Sequence, residues 1–213
     1  MGFSISWVGV RGADKAWLLD TLGFADTGTL DEANEAPFSI AALPTGWTIL
    51  FSNDFDFPQP TMLEHLSLKH DVIACQVEQH VMYSAASAFI AGVMQWSVAH
   101  DAQQGLRHLH TEGTPPITLE TIRESLGREL ENQPTDENLV DFLFDAPIEL
   151  AAQTTGYRHD HCKFDWGQPH LRNWPPPHWL SQREVSSPRS RNYCESDKAE
   201  CAHGSRRANR RGN

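Results

Sequence analysis

The sequence predicts an α+β domain with a mainly antiparallel sheet of about five to six strands, helices on one face of the sheet, and a disordered tail. Short segments with apolar residues at every second position are typical of half-buried strands, and most of them are joined by turns rather than by helical crossovers. Other segments carry apolar residues three and four positions apart, as amphipathic helices do. The predicted order is strand, helix, two strands, helix, three strands and then helices.

The opening of the chain predicts a strand followed by a helix. From Phe3 to Val10, apolar residues alternate with serines, which is a strand pattern. From Ala13 to Leu22, tryptophan and leucine recur at helical spacing, and Gly23 is placed to end that helix. Residues 24–36 are acidic and irregular, so we expect a loop there.

A hairpin and a short helix follow. Phe38 to Leu43 and Trp47 to Ser52 are strand-like runs joined by residues 44–46, whose proline and glycine favour a turn. Thr61 to Ser67 has apolar residues on one helical face. Together these segments predict two paired strands and then a helix.

The clearest strand signal lies between residues 72 and 99. Alternation continues from Val72 to Ile90, which is too long for a single strand, so we expect two strands with a bend or turn at residues 79–82. Ala91 and Gly92 then predict a turn into a third strand over 93–99.

The last part of the domain predicts helices. Thr118 is a candidate N-cap of a helix with Glu124 and Arg128 as a favourable i,i+4 pair. A further helix is expected from Asp136. Asp145 is a candidate N-cap of a last helix, from 147 to 155, which a glycine at 156 ends. The apolar stripe of the first of these helices consists of Leu119, Ile122, Leu126 and Leu130.

Charge divides the chain into two parts. Residues 1–157 contain 6 basic and 22 acidic residues, a net charge of -16, whereas residues 158–213 contain 11 basic and 6 acidic residues, a net charge of +5. The second part is rich in Pro, Arg and Ser and has too few apolar residues to form its own core. We therefore predict an acidic α+β domain over 1–158 and a basic tail of low order over 159–213.

Common catalytic and cofactor motifs are absent from the sequence. It contains no phosphate-binding glycine loop, no zinc-protease H-E-x-x-H and no serine-hydrolase G-x-S-x-G. We expect no cofactor and no metal, and we interpret Cys75 as a small buried apolar residue because it alternates with apolar neighbours. The sequence predicts no transmembrane helix and no secretory signal, so we expect a cytoplasmic protein with no membrane partner.

One polar constellation in the domain has the composition of an acid–base or metal site. If the predicted strands are neighbours, its carboxylates and imidazoles could converge and serve as proton donors and acceptors or as ligands of a divalent metal. The competing interpretation is that these residues occupy the solvated face of a half-buried sheet and the ends of its strands. The candidate residues are Glu78, His80, His100, Asp101, His108 and His110.

Three functions remain compatible with this sequence. The strong negative charge of the domain and its missing catalytic motifs favour a non-enzymatic protein that binds a partner, such as a basic protein, as an immunity or inhibitor protein does. The first alternative is a metal-assisted or acid–base hydrolase that uses the His/Glu/Asp constellation. The second is nucleic-acid binding through the basic tail, because the acidic domain itself repels phosphates.

Overall fold

Eight antiparallel strands form one sheet in the computed structural model of this chain. The structure describes residues 2–25, 35–133, 140–161 and 171–174, together with residues 29, 31, 164, 166, 167 and 169. The spatial order of the strands is β7-β6-β5-β4-β1-β3-β2-β8. The strands are β1 (Ser4–Arg11), β2 (Phe38–Ala42), β3 (Trp47–Ser52), β4 (Val72–Glu78), β5 (Tyr83–Ile90), β6 (Val93–Asp101), β7 (His110–Gly113) and β8 (Arg172–Trp174).

Helices lie between the strands and after them. Their bounds are α1 (Lys15–Leu22), α2 (Pro60–Ser67), α3 (Thr118–Glu131) and α4 (Asp145–Thr155). Two 3-10 helices, Ala102–Gln104 and Phe142–Phe144, precede β7 and α4 respectively. This arrangement confirms the predicted α+β class with an antiparallel sheet, and the turn at residues 79–82 divides the long alternating segment into β4 and β5 as expected.

The sheet has eight strands rather than five to six, because its two edge strands are too short to show a periodic pattern. β7 has four residues, all of them exposed, and β8 has three. Alternation cannot be recognised in such short segments.

Helices cover both faces of the sheet, which corrects the prediction of helices on one face. One buried cluster joins α3 and α4 to side chains such as Trp7 and Cys75, and the other joins α1 and α2 to side chains such as Val8 and Ala74. Trp7 and Val8 are adjacent in β1, and Ala74 and Cys75 are adjacent in β4, so the two side chains of each pair point to opposite faces of the sheet. The central strands are buried on both faces even where serine or threonine alternates with apolar residues, as at Ser6 and Thr48, so the alternation did not show that both faces are covered.

Two helix ends differ from the prediction. Thr118 is the first residue of α3 and Asp145 the first of α4, and neither helix has a side-chain hydrogen bond at its N-cap. Arg128 donates from Nε to the backbone carbonyl of Glu124 at 3.2 Å. Gly156 ends α4 as predicted, in the left-handed conformation with φ at 79°.

The sheet continues past the predicted domain boundary at residue 158. β8 pairs with β2, and Leu171 is buried against the sheet. Tyr157 makes edge-to-face contact with Trp7 and stacks on Phe164, so these aromatic rings cover one face of the sheet. The start of the helix predicted from Asp136 lies outside the described residues, and its later part, Phe142–Phe144, is a 3-10 helix. Most of the predicted tail, residues 175–213, also lies outside the described residues.

Candidate functional site

The six candidate residues do not converge into one site. Strand pairing places Glu78 opposite Tyr83 and Tyr83 opposite Asp101, so these three side chains share one face of the sheet. His100 pairs with Ser84 and lies on the opposite face, towards α4 and the preceding 3-10 helix. The candidates that are adjacent in sequence are therefore separated by the sheet itself.

Glu78 and His80 stabilise the turn between β4 and β5. One Glu78 carboxylate oxygen lies 2.7 Å from His80 Nδ1 and accepts the His80 backbone N–H at 3.1 Å. Burial raises the pKa of Glu78, but hydrogen bonds from the Ser4 and His80 side chains outweigh burial and hold it below its usual value. Both groups are engaged within the turn, which favours the structural interpretation of this pair.

His100 is the most buried of the candidates, with 0% of its surface exposed. Its Nε2 lies 2.8 Å from Oδ2 of Asp141, and its Nδ1 lies 2.7 Å from the backbone carbonyl oxygen of His108. Because both ring nitrogens are occupied, His100 has no nitrogen free to exchange a proton with a substrate.

Asp101 and His108 close the loop between β6 and β7. The Asp101 backbone N–H donates to Nδ1 of His108 at 3.0 Å. The Asp101 carboxylate accepts hydrogen bonds from the Gln104 side chain and the Gln103 backbone N–H, and these bonds lower its pKa. His110 lies exposed on β7. These contacts explain the position of the loop without any catalytic role.

Asp141 is the important residue that the sequence analysis missed. It lies within the helix predicted from Asp136, and no sequence pattern connected it to His100, which is 41 residues away. The only signal is an acidic residue directly before the apolar run Phe142–Phe144. Its second carboxylate oxygen, Oδ1, is buried without a hydrogen-bond partner among the described residues.

Ser84, His100 and Asp141 have the composition of a catalytic triad but not its connections. The Ser84 hydroxyl donates to the backbone carbonyl of Phe144 at 2.6 Å rather than to the imidazole. Ser84 and His100 are both fully buried. A triad needs a hydrogen bond from nucleophile to base and access for the substrate. The three residues instead attach the Phe142–Phe144 segment to β5 and β6.

No three His, Cys, Asp or Glu side chains are grouped as metal ligands in the part of the chain that the structure describes. Cys75 is fully buried in the core, as predicted, and burial raises the pKa of its thiol. Within the described residues, no helix is long and apolar enough to cross a membrane.

A second candidate surface is the face of β5, β6 and β7 that carries Asp101. Its floor is made of small, half-buried side chains, and Glu112 lies exposed beside it on β7. Burial and the charge of Asp101 raise the pKa of Tyr83, which borders this floor. We call this surface the acidic face; its floor consists of Ala85, Ser87, Ser97 and Ala99, and its charged rim of Glu78, Asp101 and Glu112.

Comparison with protein-family models, with curated proteins and with solved structures finds no match for this chain.

Proposed function

We propose that this protein is a non-enzymatic binding protein whose partner is a basic protein, as in an inhibitor or immunity complex. The observation that carries the proposal is a negative charge that the domain's own cations do not neutralise. Residues 1–157 contain 22 acidic and 6 basic residues. A surface of this sign attracts basic proteins and speeds their association.

At least four of the seven lysines and arginines in residues 1–158 have a carboxylate within 4.0 Å. Arg11 lies 3.6 Å from Asp71, and Arg107 lies 3.3 Å from Glu131. Arg158, with a side chain only 13% exposed, pairs with three carboxylates, those of Asp145, Glu149 and Asp160. The paired carboxylates offset the charge of these cations, and the carboxylates of residues 1–157 still outnumber the cations by 22 to 6.

The geometry around His100 is the reason for preferring binding to hydrolysis. Its imidazole is buried and engaged at both nitrogens. A general base must instead reach a proton on the substrate. A cytoplasmic location is part of the binding proposal, and the unpaired buried thiol of Cys75 is compatible with it.

The test is to isolate the partner from the source cell, identify it, and measure its dissociation constant with the full-length chain at about 50 mM and about 500 mM salt. We expect a partner with a basic surface and a dissociation constant that rises at least ~10-fold at the higher salt. An acidic partner, or an affinity that does not change with salt, contradicts the proposal.

Two further measurements separate the alternatives. Hydrolytic turnover that His100→Gln abolishes, in a variant with an unchanged melting temperature, would favour the hydrolase instead. Retention on DNA or RNA that depends on residues 175–213 would favour the nucleic-acid alternative. Neither result is expected if the acidic domain carries the function.

A further inference from the structure

The acidic face is an incomplete layer of the fold. On the opposite side of the sheet, α3 and α4 cover the central strands and bury Trp96 and Val98 of β6. On the acidic side, α2 packs against β4, β5 and, at the β5–β6 turn, β6, and its Leu63 and Leu66 belong to the core on that side. No described helix lies beyond α2 on this side, and the floor residues of β5 and β6 are only partly buried. A sheet face without a covering layer is a docking surface for a partner element.

The charges of this half of the sheet have one sign. Strands β4 to β7 contain no lysine and no arginine. Glu78 and Asp101 mark one end of the acidic face, and Glu112 lies beside its middle, opposite Ser97. Glu78 and Asp101 are ionised at neutral pH, as carboxyl groups ordinarily are, and hydrogen bonds hold their pKa values below the usual range.

The other end of the acidic face is apolar. At the turn between β5 and β6, Met94 is 39% exposed and pairs with Phe89, a core residue on the acidic side, and Leu68, at the end of α2, is 64% exposed. Leu68 lies against this turn, because a Cβ placed on Gly92 would be only 2.9 Å from Leu68 Cδ2. Ile90 and Val93 are also exposed at this turn, but strand alternation places their side chains on the opposite face. A ligand along β6 would thus meet carboxylates at one end and apolar side chains at the other.

We propose that the acidic face binds an amphipathic basic helix of the partner protein, aligned with β6; this inference rests on the proposed function. The nine residues of β6 span about 30 Å, which corresponds to a helix of about 20 residues. Small floor side chains allow a helix to approach the sheet closely. The lysines or arginines of the helix face Glu112 and Asp101, and an apolar residue at its other end contacts Met94 and Leu68.

A helix fits this surface better than an added strand. The hydrogen bond from Thr114 N–H to the Gln95 carbonyl sets the β6–β7 register, so His110 and Glu112 direct their backbone groups towards β6. Only Thr111 and Gly113 direct theirs outwards. Pro115 follows and has no N–H to donate. A strand added at this edge would therefore form few hydrogen bonds, whereas a helix on the face covers the whole length of β6.

The experiment uses the full-length chain and two fluorescent peptides of the same composition, about 20 residues long. One is a helical peptide with lysines along one face and leucines at one end, and the other has central prolines that prevent a helix. Two variants with the same change of charge distinguish binding at the acidic face from attraction to the protein's overall negative charge. Glu112→Lys changes a residue of the acidic face, and Glu124→Lys changes an exposed residue of α3. Ser97→Trp fills the floor, and Ser125→Trp on α3 is its steric control.

We expect the helical peptide to bind at least ~10-fold more tightly than the proline peptide. Glu112→Lys and Ser97→Trp should each weaken binding of the helical peptide at least ~10-fold more than their α3 controls do. Equal binding of both peptides overturns the helix while leaving a basic partner in place. Equal effects of Glu112→Lys and Glu124→Lys overturn the location, and the absence of any salt-sensitive binding overturns the proposed function as well.

Other occupants of the acidic face would give different results. A dimer that forms with rising protein concentration and that Glu112→Lys dissolves would assign the surface to a second copy. Tighter peptide binding after deletion of the arginine-rich residues 206–211 would assign it to the chain's own basic segment. Either result overturns the inference of a partner helix.

Discussion

The Nε2 atom of His100 lies 2.8 Å from the Oδ2 atom of Asp141, and both side chains are almost completely buried, with 0% and 6% of their surfaces exposed. The contact joins β6 to the segment that precedes α4. The other ring nitrogen of His100 holds the backbone of His108. One imidazole thus connects two chain segments that lie outside the sheet.

The first prediction concerns this pair. We expect Asp141→Ala to lower the free energy of unfolding by about 3 kcal/mol, because it leaves the buried imidazole without its partner. Asp141→Asn should cost less, since its amide N–H can donate to Nε2 while Nδ1 still donates to the His108 carbonyl. Urea unfolding measures both changes.

The control for that experiment is the exposed pair of Arg107 and Glu131, whose side chains are 63% and 62% exposed. Glu131→Ala should change stability by less than about 1 kcal/mol. If Asp141→Ala costs no more than Glu131→Ala, the buried pair does not hold the segment in place.

The second prediction concerns His159, whose ring nitrogens are buried without a partner among the described residues. Burial lowers the pKa of His159 to about 4. The unfolded chain, with an ordinary value near 6.5, then binds the proton more readily between pH 4 and pH 6.5. Stability should therefore fall as the pH is lowered through this window, by up to about 3 kcal/mol.

His159→Phe removes the group that binds this proton and keeps an aromatic ring next to Phe3. The ring centres of Phe3 and His159 lie 5.0 Å apart. The free energy of unfolding, measured from pH 4 to pH 7, should fall less at acid pH in the variant than in the wild type. If the variant and the wild type lose the same stability at acid pH, His159 is not the group responsible.

The third prediction contrasts two glycines. Gly113 has φ at 70°, and an added Cβ would lie 2.1 Å from the Gln95 carbonyl oxygen, so Gly113→Ala must displace β7 from β6. Gly127 lies inside α3 with nothing within 4 Å of an added Cβ. Gly127→Ala should raise stability by about 0.5–1 kcal/mol, and Gly113→Ala should lower it. Thermal unfolding checks both signs, and a stabilising Gly113→Ala would contradict the β7 geometry.

The fourth prediction tests the extent of the domain. A chain ending at residue 160 lacks β8 and buried Leu171, and it lacks the Phe164 ring that stacks on Tyr157. We expect it to melt at a lower temperature than a chain ending at residue 174, because apolar surface of the sheet becomes exposed. Equal melting temperatures would place the end of the stable unit near the predicted boundary at 158.

The elements that were predicted well are those whose signal lies within a few residues. β4 and β5 were found because apolar residues recur at every second position from Val72 onwards, and the end of α4 because Gly156 adopts a left-handed conformation that favours glycine. β7 and β8 were missed because three or four residues carry no period, and β8 forms only by pairing with β2.

The candidate residues show the same limit. The sequence drew attention to His100, but adjacent residues of a strand point to opposite faces, so the proximity of His100 and Asp101 along the chain did not indicate a shared site. Asp141, the actual partner of His100, comes from 41 residues away. A contact of that kind depends on how the chain returns across the sheet.

The sequence by itself determined the α+β class, the turns between most strands and the excess of negative charge, because periodicity, turn residues and ionised side chains are local properties. Only the tertiary structure decided that both faces of the sheet carry helices, that His100 is engaged at both ring nitrogens, and that Asp101 and Glu112 share a face with Ser97. The physical reason is that burial and pairing join residues that are distant along the chain, and no local pattern records which of them meet.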